Sequence, residues 1–188
     1  MSLKKEIVFV PDVKDFYIKC ASMIGNFESD MFHVTLDGLC RTYRVESPIE
    51  QLFFVAFKVL QKTNYFEELN SINLRGAPED LYGLTIYPQS EVKPYRVDFL
   101  ARYNLLEKEP RWAVIECDGH NFHDRTEKER RHEKQRDRFL QSKGYRIFHF
   151  TGSEVKNNPF ECASEVIAFL TNFPKDEILG AISNYDYE

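Results

Sequence analysis

No stretch of this 188-residue chain approaches the apolar length needed to cross a bilayer. The greasiest run, Leu52 to Leu60, is short and carries Lys58. The opening Met-Ser-Leu-Lys-Lys lacks the long apolar region of a signal peptide. Cysteine is scarce and scattered: Cys20, Cys40, Cys117 and Cys162 form no CxxC pair, so they read as free thiols in a reducing cytoplasm. Internal repeats, Gly-rich linkers and low-complexity segments are absent as well, which favours a single folded domain. What is present is enough apolar and aromatic residue to build a core, 43% and 14% of the chain.

An excess of positive charge is also missing. The net charge is −5, which at first argues against a polyanionic partner. The charge is unevenly spread, however. Arg125 to Arg146 holds nine Lys/Arg against four Asp/Glu, a net +5, leaving −10 for the rest. A local basic face is what matters for nucleic acid, so overall acidity does not exclude it. A solvated helix face laced with Glu129, Glu133 and Asp137 explains the same run without DNA.

Residues 1–46 carry no chemical motif, although Asp15 to Ile24 has helical spacing and Phe32 to Val45 gives mixed signals. Ser47-Pro48-Ile49-Glu50 reads as a capping box opening a helix from about Pro48 to Lys62, with Ile49, Leu52, Phe53, Ala56, Phe57 and Leu60 on one stripe. Strands are expected at Leu84–Tyr87, Tyr95–Ala101 and Trp112–Cys117, the last two joined by a hairpin connection over Asn104–Arg111. Thr126 and Glu129 cap a second helix that Gly144 ends. A strand over Tyr145–Phe150, a turn at Thr151-Gly152-Ser153 and a helix over Pro159–Leu170 complete the pattern. The tail after Phe173 is acidic and reads as peripheral.

The informative anomaly is charge inside apolar strands. Alternate strand residues share a face, so Glu116 and Asp118 point the same way, while Asp98 interrupts Val97 and Phe99 in the neighbouring strand. Buried carboxylates are costly unless paired or bound to a cation, and three that converge repel one another. A hard divalent cation such as Mg2+ resolves both problems and can activate a water beside a phosphate. The plainer reading puts each acid at a strand end, reaching solvent or pairing with Arg96 or Arg146. A zinc site at Cys117, His120 and His123 has suitable ligand types, but Cys117 would point away from Glu116 and no fourth ligand is evident.

Ile115-Glu116-Cys117-Asp118-Gly119-His120-Asn121-Phe122-His123 resembles the Glu-x-Asp-Gly…His signature of small bacterial and phage-borne endonuclease-like proteins. These are similar to the very-short-patch mismatch-repair endonucleases and share the PD-(D/E)XK fold. The likeness runs from about Ser47 to Ala168 and includes Ser47-Pro48-x-Glu50, Gln89, Tyr95-Arg96-Val97-Asp98-Phe99, Gln135-Arg136-Asp137-Arg138-Phe139-Leu140 and Phe150-Thr151-Gly152-Ser153-Glu154-Val155. It implies an α/β restriction-endonuclease-like core at 47–171, a mixed central sheet flanked by helices, between an N-terminal extension (1–46) and an acidic tail (172–188).

The resemblance further implies that Asp98 and Glu116, with Asp118, hold Mg2+, Mn2+ being a possible substitute. Glu50 would be an additional metal-shell residue and Gln89 a support of the site or a DNA contact. Asp118 stands where the superfamily usually has lysine, so His123 becomes the candidate for proton transfer. His120 would contact phosphate. Arg130, Lys134 and Arg138 recur every four residues and would meet the DNA backbone. The expected function is hydrolysis of DNA phosphodiesters, with DNA as partner, a homodimer possible, and neither a membrane nor a small organic cofactor involved. The rivals are a non-catalytic DNA-binding domain that keeps the fold, which the missing lysine favours, and an interaction domain whose acids are surface pairs.

Overall fold

A computed structural model of the chain describes residues 45, 47–64, 66, 83–104, 109–118 and 126–183. The helix expected at Asp15–Ile24, the centre of the Asn104–Arg111 connection, and His120 and His123 lie outside the described residues.

Helix α1 (Pro48–Thr63) starts at Ser47, whose backbone is extended as an N-cap requires. The expected capping box does not form, since Ser47 makes no side-chain cap bond. The Glu50 carboxylate instead accepts a 2.5 Å hydrogen bond from Gln89 Nε2. Phe53, Phe54 and Phe57 put three aromatic rings into the core from this helix. Each such burial stabilises by about 1.5–3 kcal/mol.

Four strands follow, in the spatial order β1-β2-β3-β4. They are β1 (Gly83–Val92), β2 (Tyr95–Asn104), β3 (Arg111–Asp118) and β4 (Arg146–Thr151). The first two pairings are antiparallel and β3–β4 is parallel, so the sheet is mixed. Strand β1 is much longer than Leu84–Tyr87. Among the described strands it lies at the edge of the sheet, the kind of position that tolerates Pro88.

Helix α2 (Glu127–Ser142) connects β3 to β4, capped by the Thr126/Glu129 box as the sequence predicts. Gly144, just past its C-cap Lys143, takes a φ of +88°, a conformation that favours glycine. Two further elements differ from expectation. Thr151-Gly152-Ser153 is no simple turn: Thr151 caps the short helix α3 (Gly152–Asn157) through a second box with Glu154. The tail is not wholly peripheral either, because α5 (Lys175–Ser183), after α4 (Pro159–Thr171), seats Ile178 fully in the core.

The sheet has helices on both faces. On one, Phe99, Ala101, Ala113, Ile115, Cys117, Phe148 and Phe150 join α1, α4 and α5 in the main core. On the other, Val97, Val114 and Leu140, flanked by Phe139 and Ile147, hold α2. As expected, Phe139 and Leu140 face inward, and Leu140 is the buried residue of a very polar helix.

Candidate active site

The acids gather where the sheet opens beneath α2. Antiparallel pairing of β2 with β3 runs from Tyr103–Arg111 to Phe99–Ile115 and stops there. Just beyond, Cys117 N–H donates a 2.8 Å hydrogen bond to Asp98 Oδ2 rather than to a backbone carbonyl. Asp98 therefore serves as the acceptor where the ladder ends. That explains how a carboxylate is tolerated between Val97 and Phe99.

On the far side of β2, Gln89 falls between the Pro88–Phe99 and Ser90–Val97 pairs, opposite Asp98. Its φ of 53° is unusual for a residue other than glycine. Gln89 accepts from Arg96 and donates to Glu50, so it is a strand residue that ties α1 to β2. This places Glu50 beside the strand acids.

These carboxylates feel one another's charge, with burial as the larger cause of each shift. Burial, and then Asp98, push Glu50 up to about 7, against the lowering effect of Gln89 and Arg96. Burial and Asp98 likewise raise Glu116 to about 7, although Arg136 and His149 oppose the shift. Asp98 is raised by burial, which outweighs the Cys117 N–H and Arg136, while Asp118 adds to the rise. Glu50, Asp98 and Glu116 thus resist ionisation, through burial first and neighbouring carboxylates second.

Sequence reasoning missed the partners of these acids. Neither Arg96 nor Arg146 pairs with Glu116; the partner is Arg136 of α2, with Nη2 2.6 Å from Glu116 Oε1. Arg146 lies over the Phe148 ring instead. His149 on β4 pairs in register with Glu116, and its Nδ1 lies 3.8 Å from Asp118 Oδ2. Its Nε2 is 3.1 Å from Asp137 Oδ2. The Asp118 contact and the Asp137 charge raise the His149 pKa against the effect of burial. Ligand atoms of Asp118, Glu133 and His149 lie within 4.8 Å of one another. The signal for His149 was available, a polar residue between two phenylalanines in an apolar strand. Arg136 gave none, because its role depends on how α2 docks.

Cys117 belongs to the opposite core, and burial lifts its thiol pKa well above the usual value. Its side chain thus lies on the face of the sheet away from Glu116 and Asp118, and the two histidines of the Cys117/His120/His123 zinc reading lie outside the described residues.

A cleft of about 850 Å³ opens over Glu116 and Asp118, with Arg96, Lys128, Arg131 and Arg136 among its lining residues. The predicted stripe of Arg130, Lys134 and Arg138 is exposed but lines a separate shallow groove of about 290 Å³, which shares Arg131 with the cleft. The donor set suits a hard divalent cation: buried carboxylate oxygens that raise one another's pKa gain most when a cation offsets their charge.

Residues 79–170 match the model of the family REase_MTES_1575, a restriction-endonuclease-like family. The mixed four-stranded sheet flanked by helices is consistent with a restriction-endonuclease-like fold. No curated protein and no solved structure matches the chain.

Proposed function

We propose that this protein is a metal-dependent endonuclease that hydrolyses DNA phosphodiesters. The observation that carries the reading is the set of strand acids at the end of the β2–β3 ladder, where Asp98 takes the Cys117 N–H and Glu116 and Asp118 line the cleft, in a chain whose residues 79–170 match a restriction-endonuclease-like family. Asp98 and Glu116 would hold a divalent cation, Mg2+ or Mn2+, with Asp118 and Glu50 completing the acidic surround. A cation so bound lowers the pKa of water and offsets charge on a phosphoryl oxygen.

The chain's own residues supply the rest. The Cys117 N–H fixes the Asp98 carboxylate, and the Gln89 amide fixes Glu50. Lys128 and Arg131 at the cleft would hold backbone phosphates, and the exposed stripe Arg130–Lys134–Arg138 would extend that track along the duplex. With Asp118 in place of the customary lysine, His123 is the proposed proton carrier. Gln89 and His120 are further proposed contacts. Kinship with the very-short-patch endonucleases, a homodimer for double-strand cutting and a cytoplasmic setting belong to the same proposal. Two free thiols, Cys117 and Cys162, suit that compartment, and among the described residues no helix is long and apolar enough to cross a membrane.

A second reading, a DNA-binding domain without turnover, is favoured by the Asp118 departure and by the Arg136 guanidinium standing on Glu116. End-labelled duplex DNA incubated with Mg2+ or Mn2+ separates the two. Internal cuts that vanish in EDTA and in Asp98→Asn support the nuclease. Tight binding without cutting at any cation supports the second reading.

A further inference from the structure

The cleft contains a cation that the acid cluster alone does not account for. Arg136 reaches from the middle of α2 to Glu116, yet its side chain keeps 21% of its surface exposed and lines the cleft. Its Nε is buried and makes no hydrogen bond among the described residues. A guanidinium serving purely as an anchor would have its donors satisfied. Nor does α2 depend on the pair for its seat, since Leu140 and Phe139 fasten it to Val97 and Val114. A half-buried ion pair of this kind adds little net stability, because desolvation offsets much of the attraction.

We propose that Arg136 is the residue that grips the reacting phosphate, with Glu116 as the support that aims it into the cleft. The guanidinium is a planar fork whose two edges can serve a carboxylate and a phosphate together, which an ammonium cannot do with the same geometry. Lys128 and Arg131 lie on the same lining, beside Glu129 and Glu133, and offer further cationic groups to a phosphate chain. The proposal rests on the cleft being a phosphodiester site.

It has a consequence that an anchoring role lacks. A guanidinium and a divalent cation compete for the same Glu116 carboxylate, so removing the guanidinium strengthens cation binding while weakening DNA binding. Both are measured on the full chain, wild type against Arg136→Gln and Arg136→Lys. Calorimetry with Mn2+ alone reads the first effect, and fluorescence anisotropy of a short duplex in Ca2+ reads the second.

The expected result is that Arg136→Gln binds Mn2+ several-fold more tightly and the duplex about tenfold or more weakly, the loss expected for a charge-assisted hydrogen bond. Arg136→Lys should recover part of the duplex affinity, because it keeps the charge and loses the fork. The proposal is overturned if Arg136→Gln binds duplex as wild type does. It is equally overturned if the variant loses Mn2+ and duplex together with a lowered Tm, the mark of a structural pair. Failure of the phosphodiester-site reading looks different: wild-type protein itself then binds no duplex, and this inference falls with it.

Discussion

Glu50→Gln should stabilise the protein at pH 8 in EDTA and leave it unchanged near pH 4.5. The folded-state pKa of Glu50 is about 7 against an ordinary value of 4.5, with burial as the main cause. Between those values the native state binds more protons than the unfolded chain, so stability falls as pH rises and levels off above about 7. At about 1.36 kcal/mol per unit, the full penalty is about 3 kcal/mol, an upper value because solvent reaches part of the side chain. Glutamine has the shape of the protonated acid and keeps an oxygen for the Gln89 amide, so it removes the penalty without opening a cavity. In urea the gain corresponds to a midpoint shift of about 1–2 M. Adding Mg2+ or Mn2+ should narrow the gap by stabilising the wild type. A variant no more stable than wild type at pH 8, or equally stabilised at pH 4.5, would refute the argument that burial, with Asp98 beside it, disfavours the ionised Glu50.

Three further outcomes follow from the same geometry. Asp98→Ala should lower stability by about 1–3 kcal/mol, because Cys117 N–H loses its acceptor, whereas Asp98→Asn keeps an oxygen there, sheds a carboxyl that burial disfavours as an anion, and should melt no lower than the wild type. Thermal denaturation of the two variants in EDTA checks this. Asp118→Asn should lower the His149 pKa, since the Asp118 contact is the largest cause of its rise; an NMR pH titration of the imidazole reads it directly. Neutralising Arg130, Lys134 and Arg138 together should reduce the salt dependence of DNA binding by about 2–3 units of log–log slope, at about 0.9 per phosphate contact. An unchanged slope would leave the stripe a solvated face.

How much of this was legible depended on whether local pattern or tertiary docking decided the feature. The stripe of α1, the apolar run of β3 and the Thr126 cap of α2 were visible because their spacing matches the element's own period. The length of β1 was hidden because Pro88 and Gln89 look like an interruption, and only its edge position makes them acceptable. Helix α3 was misread as a turn, although Thr151 and Glu154 spell a capping box. Helix α5 was obscured by acidic residues around Ile178. At the site, Asp98, Glu116 and Asp118 stood out as charges in greasy strands. Glu50 was visible mainly as a cap, and its true partner Gln89 lies 39 positions away. Arg136 and His149 become site residues only through the docking of α2 and the β3–β4 register, which a linear pattern does not display.

The most direct test of the central claim is the conversion of supercoiled plasmid to nicked or linear form by wild-type protein and by Glu116→Gln. Each is incubated with Mg2+, Mn2+ or EDTA after both are shown to be folded. The account predicts cutting by the wild type with a divalent cation, none in EDTA, and none by the variant. Cutting by Glu116→Gln at the wild-type rate, or undiminished cutting in EDTA, would contradict it.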